Sequence, residues 1–375
     1  MKQTISAVVD IMGERLLEAV ERPGTDWLPY GSTGLNGFSG IAMALAALSR
    51  SRGEERYTRG MHEALRRACS HATASSLGSA MGIAGLRAAA AYAHAVVPSY
   101  DRLISQCDRL IDSFQSAPPS STTSDYDLIS GWAGARLSRG PSKEDWLIDR
   151  LLWLLSDDAH WRRANPMMPS LGEHNLLGAS HGIGGVLAAF ALTTDYTHRF
   201  QCVLDVARTV AHLWREDQVT WPFSLQDTHE YAPRFTWCYG SAAIAATMRA
   251  VGLWAGDAEL TEIAGRTMAA MIEAGLDEAI NDQAICHGTL GAALICASAS
   301  TGDSPVRRFA DQLVERAIAD LERRDAKCTS RSELVPYYEA FGFLDGYAGI
   351  VLALCTLVDG TDASWMRLHA LRPLS

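Results

Sequence analysis

Cys238 and the pair Cys286-His287, forty-eight residues further on, each stand just ahead of a glycine, Gly240 and Gly288, and each glycine opens a run of small apolar residues. Two cysteines and a histidine form a ligand set for a zinc ion. Three protein ligands leave a fourth tetrahedral position open, the mark of a catalytic rather than a structural zinc site. Such a site suits activation of a sulfur nucleophile. A thiol with a pKa of about 8.5 is only slightly ionised at neutral pH, and zinc coordination deprotonates it. Two thiolate ligands lower the Lewis acidity of the ion, so the bound sulfur stays electron-rich. A helix start after each motif adds backbone amides and a positive dipole end, which favour negative charge at the ligands.

What positions these residues is a repeat. A glycine turn followed by a small-apolar run occurs seven times, and the copies align on Gly40, Gly85, Gly134, Gly185, Ala243, Gly291 and Gly349. The fifth copy carries alanine where the others have their second glycine. Amphipathic patterns alternate with these runs, at about 3–20, 54–71, 99–116, 143–156, 198–215, 257–274 and 304–324. In the last, Val306, Phe309, Ala310, Leu313, Val314, Ala317, Ile318 and Leu321 share one face, and Ser304-Pro305 is a start signal. A helix apolar all round must be buried, and an amphipathic one covers it. Seven such pairs predict an all-α double ring, seven helices inside and seven outside, with every glycine turn at one end. A linear solenoid of helix pairs is the structural alternative. Closure is preferred because it brings the ligand-bearing fifth and sixth copies together with the rest. Residues 117–126 read as a low-complexity loop. The irregular stretches 157–177 and 216–236 run toward the motif turns and are expected to roof that end; they carry His174 and His229, which stay outside the catalytic set.

Composition narrows the function. The chain has 375 residues, 48% of them hydrophobic, enough for a large core in a single domain spanning 1–375. Its net charge of −10 and lack of a basic block leave no footprint for nucleic acid. Asp10, Glu14 and Arg15 interrupt any apolar N-terminal stretch, so no signal peptide is expected. No run approaches the roughly 20 apolar residues of an integral membrane segment. A cytoplasmic location follows as the expectation, with membrane association only through partners, and the eight cysteines should be reduced. Cys69, Cys107, Cys202, Cys296 and Cys355 read as small core hydrophobes, and Cys328 as a loop bystander. There is no Walker loop, dinucleotide fingerprint or kinase signature.

Together, the seven glycine motifs, Arg234-Phe-Thr-Trp-Cys-Tyr-Gly, Cys286-His287-Gly288, Ser180-His181-Gly182 and Asp127-Leu-Ile-Ser-Gly131 resemble the lanthionine synthetase C-like family, the lanthipeptide cyclases, over essentially the whole chain. The resemblance implies an α/α toroid with one zinc ion at one end. It also implies addition of cysteine thiols of a dehydrated precursor peptide to dehydroalanine or dehydrobutyrine, forming thioether rings. On that basis Cys238, Cys286 and His287 are the metal ligands, His181 and Asp127 the acid–base residues, and Arg234, Trp237 and Tyr239 line the substrate site. Addition to the β-carbon creates an enolate that needs a nearby cation or donor and then a proton at the α-carbon. His181, with an ordinary pKa of about 6.5, suits that delivery, and Arg234 or His181 suits the enolate oxygen. Asp127 would orient a donor or accept the thiol proton. The plainer readings are a helix cap for Asp127 and Asp345, backbone satisfaction for His181, and pairing with Glu230 for Arg234.

Some members of the family carry a β-rich insertion early in the chain. The short connection between copies two and three leaves little room for it here. Nor is there room for a fused dehydratase, so dehydration is expected from a separate protein; the sequence leaves open whether the chain works alone or in a complex with a dehydratase and an exporter. Two other functions fit the ligand set: zinc-assisted addition of glutathione to dehydrated residues, and a zinc-bound peptide-binding scaffold without catalysis. A helical-toroid glycosidase would need paired carboxylates at the ring mouth, and the motif turns offer too few.

Overall fold

The structure, a computed structural model, describes residues 2–374 apart from 25–27, 29–32, 73–75, 117–122, 142–144, 161–162, 165–172, 227–230, 278–279, 281, 301 and 328–340. Each glycine turn opens a helix that is buried nearly all round. These helices are α2 (Phe38–Arg52), α4 (Ile83–His94), α7 (Trp132–Arg139), α9 (Ile183–Thr193), α11 (Ser241–Ala255), α13 (Thr289–Ala299) and α15 (Tyr347–Leu357). In α13 every residue from Thr289 to Ala297 is buried. That is possible because the small side chains let neighbouring helices approach closely. Between them run α1 (Lys2–Glu21), α3 (Glu55–Ser70), α5 (Asp101–Ser113), α8 (Trp146–Leu155), α10 (Gln201–Ala211), α12 (Ala258–Ala274) and α14 (Pro305–Lys327), which bury one face only. The start of α14 is capped as its sequence predicts: the Ser304 hydroxyl accepts from the Arg307 amide at 3.2 Å.

The ring is closed. Each inner helix packs on the next, and α15 returns to pack on α2. The turns themselves are linked into a hydrogen-bonded chain at one end. Leu35 donates to Ser79 (3.0 Å), Ala80 to Ile129 (3.0 Å), Leu128 to Ser180 (3.0 Å) and Ser180 to Cys238 (3.0 Å). Trp237 then donates to Cys286 (2.8 Å) and Cys286 to Leu344 (3.0 Å). Leu344 closes the circuit by donating to the Asn36 side chain (3.0 Å). Backbones meet this closely because glycines stand at the crossings. A Cβ at Gly178 would overlap the Cys238 carbonyl, and one at Gly78 would overlap Ser130. A linear solenoid is thereby excluded.

Two features go beyond the repeat. Residues 117–122 of the expected loop lie outside the described residues, but Thr123–Tyr126 forms a short helix, α6, leading into the third turn. After α15 the chain turns inward: its 3-10 helix Ser364–His369 packs on α4 and α7, with Trp365, Met366, Leu368 and His369 buried. This tail fills the middle of the ring. Among the described residues, regular strand is limited to a two-residue antiparallel pair, Arg163–Ala164 with Glu173–His174. No helix among them is long and apolar enough to cross a membrane.

Candidate functional site

The third to seventh turns follow one another around the end of the ring and carry the residues singled out by the sequence. Cys238, in the turn before α11, and Cys286, in the turn before α13, belong to neighbouring turns joined by the Trp237 amide, which donates to the Cys286 carbonyl at 2.8 Å. The nearby Cys286 thiol lowers the Cys238 thiol to about 7, against the opposing effect of burial and with help from His287 and His181. The partner thiol, Cys286, is correspondingly pushed well up, because it donates the shared proton and sits buried beside the Cys238 charge.

His287 is half-exposed and stands between two carboxylates: Nε2 lies 3.3 Å from Asp282 Oδ2, and Nδ1 lies 3.5 Å from Asp345 Oδ1. The hydrogen bond to Asp282 is the main cause that raises its pKa to about 9, with both carboxylate charges adding to it. The Cys286 sulfur, a His287 ring nitrogen and an Asp345 oxygen lie within 4.8 Å of one another. A sulfur, an imidazole and a carboxylate thus converge, a donor set that fits zinc, while Cys238 lies in the neighbouring turn outside this group, so the expected set of Cys238, Cys286 and His287 is brought together only in part. Asp345 thus departs from the expected helix cap. Gly346 occupies the N-cap of α15, with no side-chain capping bond.

The acid–base pair occupies the third and fourth turns. His181 Nδ1 lies 2.6 Å from Asp127 Oδ2. Asp127 is almost wholly buried, and its Oδ1 accepts from the Ser130 amide at 2.6 Å. One oxygen of Asp127 thus serves the local turn, as in its plainer reading, and the other faces the imidazole. Ser180, next to His181, donates through its amide (3.0 Å) and its hydroxyl (3.1 Å) to the Cys238 carbonyl, so the turn of the dyad adjoins the turn of Cys238. Tyr239 bridges to the roof, with its ring 5.9 Å from that of His181 and stacked at 4.8 Å on Phe223. The expected roof is visible where Leu176 pairs with Ser224 and Pro222 with Tyr231; His229 and Glu230 lie outside the described residues.

Two of the expected substrate contacts are directed elsewhere. The Arg234 guanidinium donates to the Gly275 carbonyl (3.1 Å) and lies 3.3 Å from Asp277, in the segment after α12. Trp237 has no exposed surface: its indole stacks on His369 at 3.8 Å and donates to the His369 carbonyl at 2.7 Å. An indole this buried supports the turn from beneath and cannot touch a peptide without the turn moving. His369 in addition bonds through Nε2 to the Ile285 carbonyl at 2.8 Å. One residue of the tail therefore braces the turns of both cysteines. Sequence reasoning missed His369, Asp277 and Asp282. Asp282 alone left a local trace, an acid two residues before the Ala284 amide that it accepts from at 2.8 Å.

Burial pushes the Cys296 and Cys355 thiols to about 12, and Cys107 likewise, as expected of core cysteines. Cys69 and Cys202 are partly buried, and Cys328 lies outside the described residues.

The comparisons agree with this architecture. No curated protein sequence matches the chain. Among solved structures it is similar to a nisin cyclase, with a TM-score of 0.70 at 17% identity over 98% of this chain and 97% of that one, which shows the shared α/α toroid. The family model described as lanthionine synthetase C-like protein matches residues 29–369, from the approach to the first glycine turn to the histidine under the cysteine turns. The chain belongs to the lanthionine synthetase C-like family.

Proposed function

We propose that this protein is a zinc-dependent lanthipeptide cyclase. It adds cysteine thiols of a dehydrated precursor peptide across the double bond of dehydroalanine or dehydrobutyrine: sulfur bonds to the β-carbon, a proton is delivered to the α-carbon, and no atom is gained or lost. Cys238, Cys286 and His287 would hold the metal, and bound zinc supplies the Lewis acidity that leaves the peptide sulfur ionised at neutral pH. His181 acts at the other reacting carbon. Its Nδ1 is held by Asp127, so Nε2 is the nitrogen left for the peptide. From there it steadies the enolate oxygen that develops during addition and returns a proton to the α-carbon. Asp127, buried and fixed by Ser130, keeps the ring in that orientation. Tyr239, next to His181 and stacked on Phe223, offers an aromatic wall for the peptide.

The observation that carries this reading is the His181–Asp127 contact of 2.6 Å in the turns adjoining the sulfur pair. A metal-bound scaffold has no use for an oriented acid beside its ligands. The test is incubation with a dehydrated precursor peptide containing cysteine. Loss of alkylatable thiols without a mass change is expected. A mass gain of one glutathione, when that thiol is supplied, would point to intermolecular addition, and tight binding with unchanged thiols to a scaffold.

A further inference from the structure

We propose that Asp282 is the positioning residue of the metal centre: it holds the His287 imidazole by Nε2 and aims Nδ1 at the space shared by the Cys286 sulfur and the Asp345 carboxylate. The proposal rests on the zinc reading above.

Asp282 is anchored on several sides. Its Oδ1 accepts from the Ala284 amide at 2.8 Å, and its carbonyl accepts from the Thr289 amide at 2.9 Å and the Thr289 hydroxyl at 3.0 Å. These bonds close the turn that contains Cys286 and His287 on itself. The other oxygen, Oδ2, faces His287 Nε2 at 3.3 Å. The residue after His287 is a glycine for the same reason: a Cβ at Gly288 would overlap Asp282 Oδ1. A carboxylate is an acceptor only, so the nitrogen facing it carries hydrogen. Nδ1 faces the Asp345 carboxylate at 3.5 Å, so a metal bound between them would take the place of the hydrogen on Nδ1 while Asp282 keeps the one on Nε2. A carboxylate that fixes which histidine nitrogen is presented to a metal is a recurrent outer-shell device.

This arrangement makes Asp282→Asn an informative variant. Its oxygen would keep the Ala284 bond, leaving an amide NH₂ toward Nε2. A donor there reverses the polarity and withdraws the lone pair from Nδ1. Zinc affinity should fall roughly 10- to 100-fold in competition with a chelator, while the melting temperature of the metal-free protein stays near wild type. In zinc-loaded wild type, nitrogen-15 NMR of the histidine rings should show His287 ligated through Nδ1 and protonated at Nε2. Wild-type zinc affinity in Asp282→Asn, or ligation of His287 through Nε2, overturns the proposal. The NMR arm decides the matter even if the variant does not fold. Wild-type protein that takes up no zinc would instead remove the proposed function on which this inference stands.

Discussion

A histidine whose Nδ1 is bound to a buried carboxylate has one nitrogen left to work with, and that defines the first prediction. Under the proposed function, His181→Ala should lower kcat by about 10²–10⁴-fold, the usual contribution of a placed acid or base. It should also slow deuterium incorporation at the α-carbon in heavy water, with zinc content unchanged. A variant that protonates that carbon at the wild-type rate takes His181 out of the scheme. Removing a sulfur should act on the other half of the site. Cys286→Ala takes away both a proposed ligand and the partner that lowers the Cys238 thiol. Metal analysis of the purified variant should find clearly less zinc per chain than the single equivalent expected of the wild type.

At the scale of the element, the glycines differ in what they do, and stability measurements can tell them apart. Gly178 lies against the Cys238 carbonyl with no room for a side chain. Gly178→Ala should cost about 1–3 kcal/mol, as overpacking does, and should weaken zinc binding because the Cys238 turn must shift. Gly265, within α12, faces open space. There, Gly265→Ala should raise stability by about 0.5–1 kcal/mol, the helix preference of alanine over glycine. Urea titration of the two variants beside wild type checks both signs. If Gly178→Ala is as harmless as Gly265→Ala, the hydrogen-bonded chain of turns is not what holds the cysteines.

Across the whole molecule, the tail that fills the ring ties stability to pH through one residue. His369 is wholly buried, and burial lowers its pKa to about 3. Its folded value lies below its unfolded value of about 6.5, so the unfolded chain binds a proton that the folded chain refuses. Stability is therefore lost as pH falls below about 6.5. Between pH 7 and 5 the His369 share of that loss is about 2 kcal/mol by linkage. Comparing wild type with His369→Phe at both values isolates this share from that of the carboxylates and of His287, whose raised pKa acts in the opposite sense. An equal loss in the two proteins would remove His369 as its source.

The elements and the turns that carry Cys238 and Cys286 were legible in the sequence alone. Both are local: a helix start is written in a glycine or in Ser304-Pro305, and a buried or half-buried face in the spacing of apolar residues. The recurrence of those signals seven times made a ring legible, because each pair needs a neighbour to cover its apolar helix. Closure, by contrast, depended on Leu344 meeting Asn36 across 308 positions. The side chains beneath and around the site were also decided by tertiary structure. Trp237 meets His369 across 132 positions and Ile285 meets it across 84, so no local pattern announces either contact. Asp345 is near Cys286 only because the seventh turn docks on the sixth. Asp282 is near in sequence, yet an acid in a loop acquires its role from the direction its second oxygen faces, and direction is a property of the folded backbone.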